Sequence, residues 1–325
     1  MSVIASAEIL TTAEEKKQAV QRQRKRGLKE ALTYWSFVGP LMIGLTIFTF
    51  IPIVWAIVLS FFQARSTVTP TQFVGLDNYI SLLGDESFRQ AMITGTLFAI
   101  FIIPTTFFLA LGMALLVNSV RIGQGFFRSV FFIPTACSYV VASMIWKLGI
   151  FSGLQSGLAN AVLGVFGIER ISTWITSANP PYYWIVLVTA RLWLQLGFYM
   201  ILFIAGLQDI PRELYEAAQV DGAKRGWATF RYITFPLLRN TSIAVLILNL
   251  IAAFQAFEEF YNIMGSFTGS SGNISLGRPP LLYLYQIAIS GQDFGRGSAG
   301  AIMIAAIIII FTLIQGRFLS FGRAN

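Results

Sequence analysis

Histidine is absent from this 325-residue chain, and cysteine occurs once, as Cys137. Without histidine, the chain lacks the usual imidazole general base, the HExxH zinc site and the histidine proton relay. A single cysteine excludes a disulfide or a CxxC metal site within one chain. The phosphate-cradling pattern GxxxxGK followed by Ser or Thr is also missing. We therefore expect no catalytic site, no metal site and no cofactor bound by this chain.

Charged residues are scarce as well, at 12% of the chain, and hydrophobic residues make up 55%. Mean hydropathy is +0.68, whereas ordinary soluble domains contain about 25% charged residues. A soluble core does not require repeated apolar stretches of about 18 residues or more, but bilayer-crossing helices do. The sequence thus predicts an all-α, multi-pass membrane protein with about six spans. The candidate spans are residues 34–62, 91–117, 129–147, 182–207, 237–264 and 299–318.

Sixteen of the 23 Lys and Arg residues fall on one side of this topology. By the positive-inside rule, both termini and the long polar loop 208–236 are predicted to be cytoplasmic. The domain prediction is a basic cytoplasmic segment, residues 1–33, followed by a transmembrane domain, residues 34–325, that contains this loop. Basic residues that flank spans and face anionic membrane lipid explain the net charge of +8. No nucleic-acid partner is expected, because these residues do not line one folded surface.

The polar loop has the pattern of a short helix with a start and a stop. Pro211 suits the first helical position, and Glu213 and Glu216 lie near the positive N-terminal end. Gly222 can end the helix in a left-handed conformation. Residues at helical spacing then form a face of mostly small side chains, over which a partner's backbone could approach closely. They are Leu214, Ala217, Ala218 and Asp221. The alternative is a helix that lies at the lipid interface.

Four polar residues of the fifth candidate span lie within an arc of about 100° on one helical face. They are Gln255, Glu258, Glu259 and Asn262. Charges at membrane depth usually face a bundle interior or an aqueous cavity. Arg191 and Gln195 lie at a comparable level on the fourth span, with Tyr199 nearby. Two interpretations stay open: the polar face contacts a solute directly, or one of the glutamates pairs with Arg191 or sits at the headgroup level.

The loop also carries a family resemblance. Glu216-Ala217-Ala218 is followed by Gly222 after three residues, and Pro236 closes the loop. This pattern resembles the cytoplasmic signature of binding-protein-dependent ABC importer permeases. Further segments, in matching order, resemble the sugar-type branch of these permeases. They are Pro52 with Ser60-Phe61, FVGLDNY at 73–79, Pro134, IWK at 145–147, GLAN at 157–160 and residues 283–294.

The resemblance implies a type I ABC importer permease subunit in a bacterial or archaeal cytoplasmic membrane. The implied partners are a homologous second permease, two ABC ATPase subunits, an extracytoplasmic solute-binding protein and a sugar substrate. ATP and Mg²⁺ would be used by the ATPase chains, and this chain itself would not be an enzyme. The residues implied to couple it to the ATPases are Glu213, Leu214, Glu216, Ala217, Ala218, Asp221, Gly222 and Ala223.

Two other functions remain open on the residues alone. A stand-alone secondary transporter would use Glu258 and Glu259 as a proton or cation site. A membrane scaffold without a transport role would leave the polar face of the fifth span unexplained. In the importer hypothesis, that face lines the passage of the sugar together with Gln195 and Tyr199, because amides and carboxylates exchange hydrogen bonds with hydroxyl groups.

Overall fold

The computed structural model describes residues 27, 29–120, 122–222, 226–264 and 277–320, with side chains as far as residue 317. Within these ranges the regular structure is almost entirely helical, which confirms the all-α prediction. The strands are short: β1 (Phe62–Gln63) pairs antiparallel with β2 (Gln72–Phe73). The helices, in chain order, are α1 (Lys29–Ser60), α2 (Asp77–Gly84), α3 (Glu86–Ser119), α4 (Gln124–Ala136), α5 (Tyr139–Ile150), α6 (Leu158–Val165), α7 (Tyr183–Gln208), α8 (Arg212–Val220), α9 (Trp227–Leu237), α10 (Arg239–Phe254), α11 (Glu258–Met264), α12 (Pro280–Ser290) and α13 (Phe294–Ser320).

Four of these helices are long and apolar enough to cross a bilayer, namely α1, α3, α7 and α13. They correspond to the predicted first, second, fourth and sixth spans. Two further candidate spans are pairs of helices with a bend between them. The bend is 89° between α4 and α5, and 69° between α9 and α10. If each bent pair is one span, the described residues contain six spans, the predicted number, but the fifth then covers residues 227–254 instead of 237–264.

The third predicted span, residues 129–147, is wrong as a single straight helix. The chain bends at Cys137 and Ser138, whose backbone is extended, with ψ of 142° and 136°. The Ser138 hydroxyl then accepts a hydrogen bond from the Val140 N–H at 3.3 Å and so caps the start of α5. As a result, Tyr139 becomes the first residue of a new helix.

The fifth predicted span, residues 237–264, is also wrong as one continuous helix. α10 ends before Gln255 and α11 begins at Glu258, so residues 255–257 belong to neither helix. Because the helix is interrupted, the predicted single polar face does not exist as such. Its predicted members were Gln255, Glu258, Glu259 and Asn262.

A side chain from α7 ends α10. The Arg191 guanidinium donates a hydrogen bond to the carbonyl of Ala252, which in a continuous α-helix would accept from the N–H of Ala256. That N–H bonds instead to the carbonyl of Ala253, at 3.3 Å. Bonds of this shorter type tighten the last turn of a helix. The break is therefore a tertiary effect that hydrophobic periodicity does not reveal.

α7 contributes to two clusters of buried side chains, one around each half of the helix. One buried cluster surrounds the N-terminal half of α7 and contains Phe98 of α3, Leu187 of α7 and Phe260 of α11. A second cluster surrounds the C-terminal half and contains Phe107 of α3 and Phe203 of α7. Burial of large apolar side chains stabilises such contacts by about 1.5–3 kcal/mol each in water, and dense packing fixes their positions within a bilayer.

The close contact between α4 and α7 depends on a glycine. A Cβ atom at Gly197 would lie 1.9 Å from the carbonyl oxygen of Phe131, so no larger residue fits unless α4 moves. This contact holds the corner between α4 and α5 against α7. It thereby helps to position Tyr139 opposite Gln195.

The chain divides into two compact units, Met1–Val58 and Leu59–Asn325. In the first unit, α1 exposes large apolar side chains such as Phe37 and Phe48, each 81% accessible. A helix of this kind requires lipid or another protein around it. The predicted boundary between residues 33 and 34 falls inside α1 and stays a prediction.

Candidate functional site

A cavity of about 520 Å³ lies among α5, α7, α10, α11 and α12 in the second unit. Three apolar side chains and six polar side chains line it. The apolar residues are Ala252, Phe257 and Leu281, and the polar residues are Tyr139, Arg191, Gln195, Gln255, Glu258 and Glu259. Four of the six residues predicted for a substrate pathway are in this set, although the helix that carries three of them is broken.

A buried ion pair forms the base of the cavity. Nη1 of Arg191 donates a hydrogen bond to Oε1 of Glu259 at 2.7 Å, and the two side chains are 6% and 1% exposed. Nε of Arg191 and Oε2 of Glu259 are also buried, and neither has a hydrogen-bond partner among the described residues. Of the two pairings left open by the sequence, the structure thus selects Glu259 and leaves Glu258 outside the pair.

Tyr139 and Gln195 form the facing wall. Nε2 of Gln195 donates to the Tyr139 hydroxyl at 2.9 Å, and Oε1 of Gln195 is buried without a partner in the described part of the chain. The Arg191 guanidinium lies 5.6 Å from the centre of the Tyr139 ring, within the range of a cation–π contact. Sequence reasoning missed Tyr139, and the signals that could have indicated it were Pro134 and the serine cap just before it.

The remaining predicted pathway residues lie beside the main cavity. Tyr199 is buried and lines a neighbouring cavity of about 270 Å³. Gln195, Tyr139 and Ala252 line both cavities, so they form the wall between them. The Asn262 side chain donates to the backbone carbonyl of Glu258 at 2.7 Å within α11 and is not part of the lining.

Glu258 and Gln255 are the exposed polar residues of the cavity, whereas Arg191 and Glu259 are its buried ones. Phe257 adds an aromatic ring at the same edge and stacks against Tyr261 with 5.5 Å between ring centroids. The site therefore combines a deep, charge-paired base with an accessible carboxylate and amide. Such a surface can exchange hydrogen bonds with a polar molecule and cover its apolar faces.

α8 contains the predicted coupling residues. Its first turn carries Glu213, and Pro211 lies one residue before the helix instead of at the predicted first position. Gly222 has φ of +84°, which confirms the predicted left-handed stop. Of the residues predicted to couple to an ATPase, Ala218 is half-buried, and those that are exposed are Glu213, Leu214, Glu216, Ala217, Asp221 and Gly222. Ala223 lies outside the described residues.

One side chain fastens α8 to the rest of the protein. The Tyr215 hydroxyl lies 3.1 Å from Oγ1 of Thr234, and its ring packs on the cluster around the C-terminal half of α7. Ala218, one turn later, lies on the same inner side. The predicted small-residue face is thus divided: Leu214, Ala217 and Asp221 point outward, and Ala218 takes part in packing.

A second polar cluster lies where the start of α3 meets α12 and α13. Asp85 accepts hydrogen bonds from the Ser87 N–H at 2.9 Å, the Tyr283 hydroxyl at 2.6 Å and the Arg296 guanidinium at 3.1 Å. Burial by itself would raise the pKa of the Asp85 carboxyl, but these hydrogen bonds outweigh it and lower the pKa. Burial, and then the bond to Asp85, raise the pKa of the Tyr283 phenol. Asp85 thereby links the start of α3 to Tyr283 on α12 and Arg296 on α13.

No group of three or more His, Cys, Asp or Glu residues within the described ranges has the spacing of a metal site. The prediction that this chain carries no metal or cofactor of its own stays a prediction.

The chain is similar to several named transport permeases. It is 31% identical over 288 residues to the arabinooligosaccharides transport system permease protein AraP of Bacillus subtilis, covering 88% of each chain. It is 28% identical to the probable starch degradation products transport system permease protein AmyD of Thermoanaerobacterium thermosulfurigenes, covering 90% of this chain and 96% of the relative. It is 29% identical to the trehalose/maltose transport system permease protein MalF of Thermococcus litoralis, covering 89% and 95%.

The fold is shared with solved transporter structures. One chain of a bacterial ABC transporter involved in the import of the acidic polysaccharide alginate matches with a TM-score of 0.78 and 21% identity, over 92% of this chain and 98% of that one. The alginate transporter in complex with an alginate pentasaccharide-bound periplasmic protein matches with a TM-score of 0.77 and 20% identity, over 91% and 96%. At this identity, the likeness establishes the architecture and not the cargo.

Residues 106–320 match the family described as the binding-protein-dependent transport system inner membrane component. This range covers more than half of the chain and contains α4, α5, α7, the polar cavity and α8. The four to six candidate spans of the described residues and the relatives agree with it. The chain therefore belongs to this family and is a multi-pass membrane permease of the ABC importer type.

Proposed function

We propose that this chain lines part of the translocation pathway of an ATP-driven importer and that the cargo is a carbohydrate, either a sugar or an oligosaccharide. The observation that carries the proposal is the cavity of about 520 Å³, which is bounded by buried polar atoms without partners among the described residues. An unsatisfied buried polar group costs about 1–3 kcal/mol. Water or a polar cargo in the cavity would remove that cost.

The composition of the cavity suits a saccharide. Sugar hydroxyls both donate and accept hydrogen bonds, and the cavity offers amides at Gln195 and Gln255 and a carboxylate at Glu258. The apolar faces of a sugar ring pack against aromatic side chains, and Phe257 and Tyr139 supply these. The names of the relatives support the same class, since they refer to arabinooligosaccharides, starch degradation products and trehalose or maltose.

The proposed partners follow from the family and from the absence of an ATP-binding loop in the sequence. A homologous second permease would complete the pathway, and two ABC ATPase subunits would bind ATP and Mg²⁺ and hydrolyse the nucleotide. An extracytoplasmic solute-binding protein would deliver the cargo. The complex of the alginate transporter with its periplasmic protein supports this last partner.

α8 is proposed as the contact with the ATPase. Its outward residues include Leu214, Ala217 and Asp221, and Tyr215 anchors its inner side. A helix that is fixed on one side and presents small residues on the other can transmit a push from a docked partner to the bundle. The interface-helix alternative is less favoured, because Tyr215 and Ala218 face the protein.

The proposed orientation has both termini and α8 in the cytoplasm, which follows from the excess of Lys and Arg on that side. In this orientation the N-terminal ends of α3, α7 and α13 face outward. The polar cavity then lies towards the outer ends of α7 and α10, where a delivered cargo would enter.

The secondary-transporter alternative gains no support. Glu259, one of its two proposed cation ligands, is already held by Arg191 at 2.7 Å. The family is also defined by dependence on a binding protein, which a stand-alone carrier does not need. In a secondary transporter, Glu258 alone would therefore have to bind the proton or cation that drives transport.

The test is transport by the complete complex in proteoliposomes. ATP supplied on the side of α8 should drive accumulation of a saccharide in the presence of the cognate binding protein. A matched preparation with a non-hydrolysable ATP analogue should accumulate none. Uptake that is driven by a proton or sodium gradient without ATP would contradict the proposal.

A further inference from the structure

The charge balance of the cavity is a property that the similar sequences do not reveal. Among the described residues that line it, Arg191 carries the one positive charge, and Glu258 and Glu259 carry two negative charges. One positive and two negative charges leave a net charge of −1. The site is thus mildly anionic, although an arginine lies at its base.

The Arg191 guanidinium already bonds to other groups of the protein. One Nη atom donates to Glu259 and the other donates to the carbonyl of Ala252, and the Arg191 side chain is only 6% exposed. Its Nε remains as a single N–H without a partner in the described chain. A guanidinium that is almost fully buried and already bonded through both Nη atoms cannot turn its fork of parallel N–H groups towards the carboxylate of a cargo.

The remaining charge is accessible. Glu258 is exposed at the edge of the cavity, and its carboxylate forms no ion pair with any described residue. Lys147 approaches the far end of α11, where its Nζ lies 3.5 Å from the carbonyl of Asn262, but it is not part of the lining. A cargo that enters the cavity therefore meets an uncompensated carboxylate before it reaches the neutralised pair.

We infer that the cavity selects its saccharide by charge: it favours uncharged saccharides over those that carry uronate groups, and Glu258 is the residue that sets this preference. The inference rests on the proposed saccharide function and specifies its substrate class. A neutral sugar hydroxyl can donate to Glu258, whereas a sugar carboxylate has no proton to donate and is repelled. Gln255, beside Glu258, is uncharged, so it can form hydrogen bonds with a neutral saccharide and with an anionic one.

The expected size of the preference follows from the position of Glu258. Two like charges about 4 Å apart repel by about 1 kcal/mol in bulk water and by more where water is partly excluded, and 1 kcal/mol corresponds to about a fivefold difference in affinity. Because Glu258 is exposed, the lower value is the appropriate one. The preference should also weaken with added salt, because mobile ions screen exposed charges.

The experiment measures binding to the purified complete transporter in lipid nanodiscs by saturation-transfer difference NMR, which detects weak ligands. The probes are neutral trisaccharides, including maltotriose, each compared with its derivative oxidised to a carboxylate at C6. The wild-type complex should bind the neutral members at least about fivefold more tightly. Glu258→Gln removes the charge at nearly constant side-chain size and should bring the ratio close to one, whatever it does to the absolute affinity for neutral sugars.

The matched control is Glu169→Gln, which removes an exposed carboxylate outside the cavity and should leave the ratio unchanged. Equal binding of neutral and oxidised probes by the wild type, or an unchanged ratio in Glu258→Gln, would overturn the charge preference while leaving saccharide transport intact. If no saccharide binds to the wild type, the proposed function itself fails and the inference fails with it.

Discussion

Arg191 on α7 and Glu259 on α11 form a buried ion pair at 2.7 Å that also joins α7 to the end of α10. The same guanidinium determines where α10 stops and therefore where the residues of the cavity edge begin. An ion pair with both partners almost fully buried is costly to break, because the remaining charge is left without compensation. The pair is thus both a structural link and the base of the proposed pathway.

The first prediction concerns this pair. Arg191→Gln should destabilise the complex by about 3–5 kcal/mol, since it leaves Glu259 buried and unpaired. The double variant Arg191→Gln with Glu259→Gln should recover part of the loss. The measurement is thermal unfolding of the purified complex. The control is Arg89→Gln, which breaks an ion pair with Glu86 whose two side chains are 56% and 67% exposed, and it should cost less than about 1 kcal/mol. Equal losses for Arg191→Gln and Arg89→Gln would contradict the role of the buried pair.

The second prediction concerns the cavity edge. Gln255→Ala and Glu258→Ala should reduce ATP-driven uptake, because they remove hydrogen-bonding groups from the accessible part of the cavity. Both residues are exposed, so the free energy of unfolding should change by no more than about 0.5 kcal/mol. Uptake by reconstituted complexes and copurification of all subunits are the measurements. Wild-type rates and apparent affinities in both variants would show that the edge has no part in transport.

The third prediction concerns α8. Ala217→Trp places a large side chain on the outward face, and Gly222→Val strains a residue with φ of +84°. The double variant should lose ATPase copurification and substrate-stimulated ATP hydrolysis, while this chain still inserts into the membrane. Ala161→Trp on α6 is the control, since it is another exposed helical alanine. Normal ATPase binding and normal stimulation of ATP hydrolysis in the double variant would contradict the proposed contact between α8 and the ATPase.

The fourth prediction concerns membrane orientation. In a Cys137→Ser background, a cysteine that replaces Val220, which is 88% exposed on α8, should react with an impermeant thiol reagent only after the cells are opened. A cysteine that replaces Val165, which is 83% exposed at the end of α6, should react in intact cells. The opposite pattern would reverse the proposed topology.

The fifth prediction concerns pH. Because the folded state lowers the pKa of Asp85 from its usual 3.8, its contribution to stability is present above that value and is lost as pH falls through the lower folded pKa. Asp85→Asn should therefore destabilise the complex near neutral pH by about 1 kcal/mol for each hydrogen bond that it loses. The difference in unfolding temperature from wild type should shrink below about pH 4. Asp77→Asn, an exposed residue of α2, is the control, and a pH-independent difference for Asp85→Asn would refute the assignment.

Local patterns predicted several features correctly. The spans α1, α3, α7 and α13 follow from apolar stretches of sufficient length, since the bilayer sets a minimum number of residues. The left-handed stop at Gly222 follows from the conformational freedom of glycine. These features depend on residues that are adjacent in the chain, so the sequence contains the information directly.

The sequence by itself determined the membrane class, the four long apolar helices and the position of a polar helix in the long loop, because these depend on hydropathy and on glycine and proline placement. Only the tertiary structure decided that Arg191 pairs with Glu259 and leaves Glu258 accessible. It also decided that α10 stops at Phe254 and that Tyr139 joins the cavity. In each case the deciding contact joins residues that are far apart in the chain, and helical periodicity assumes a continuous helix that a competing side chain can interrupt.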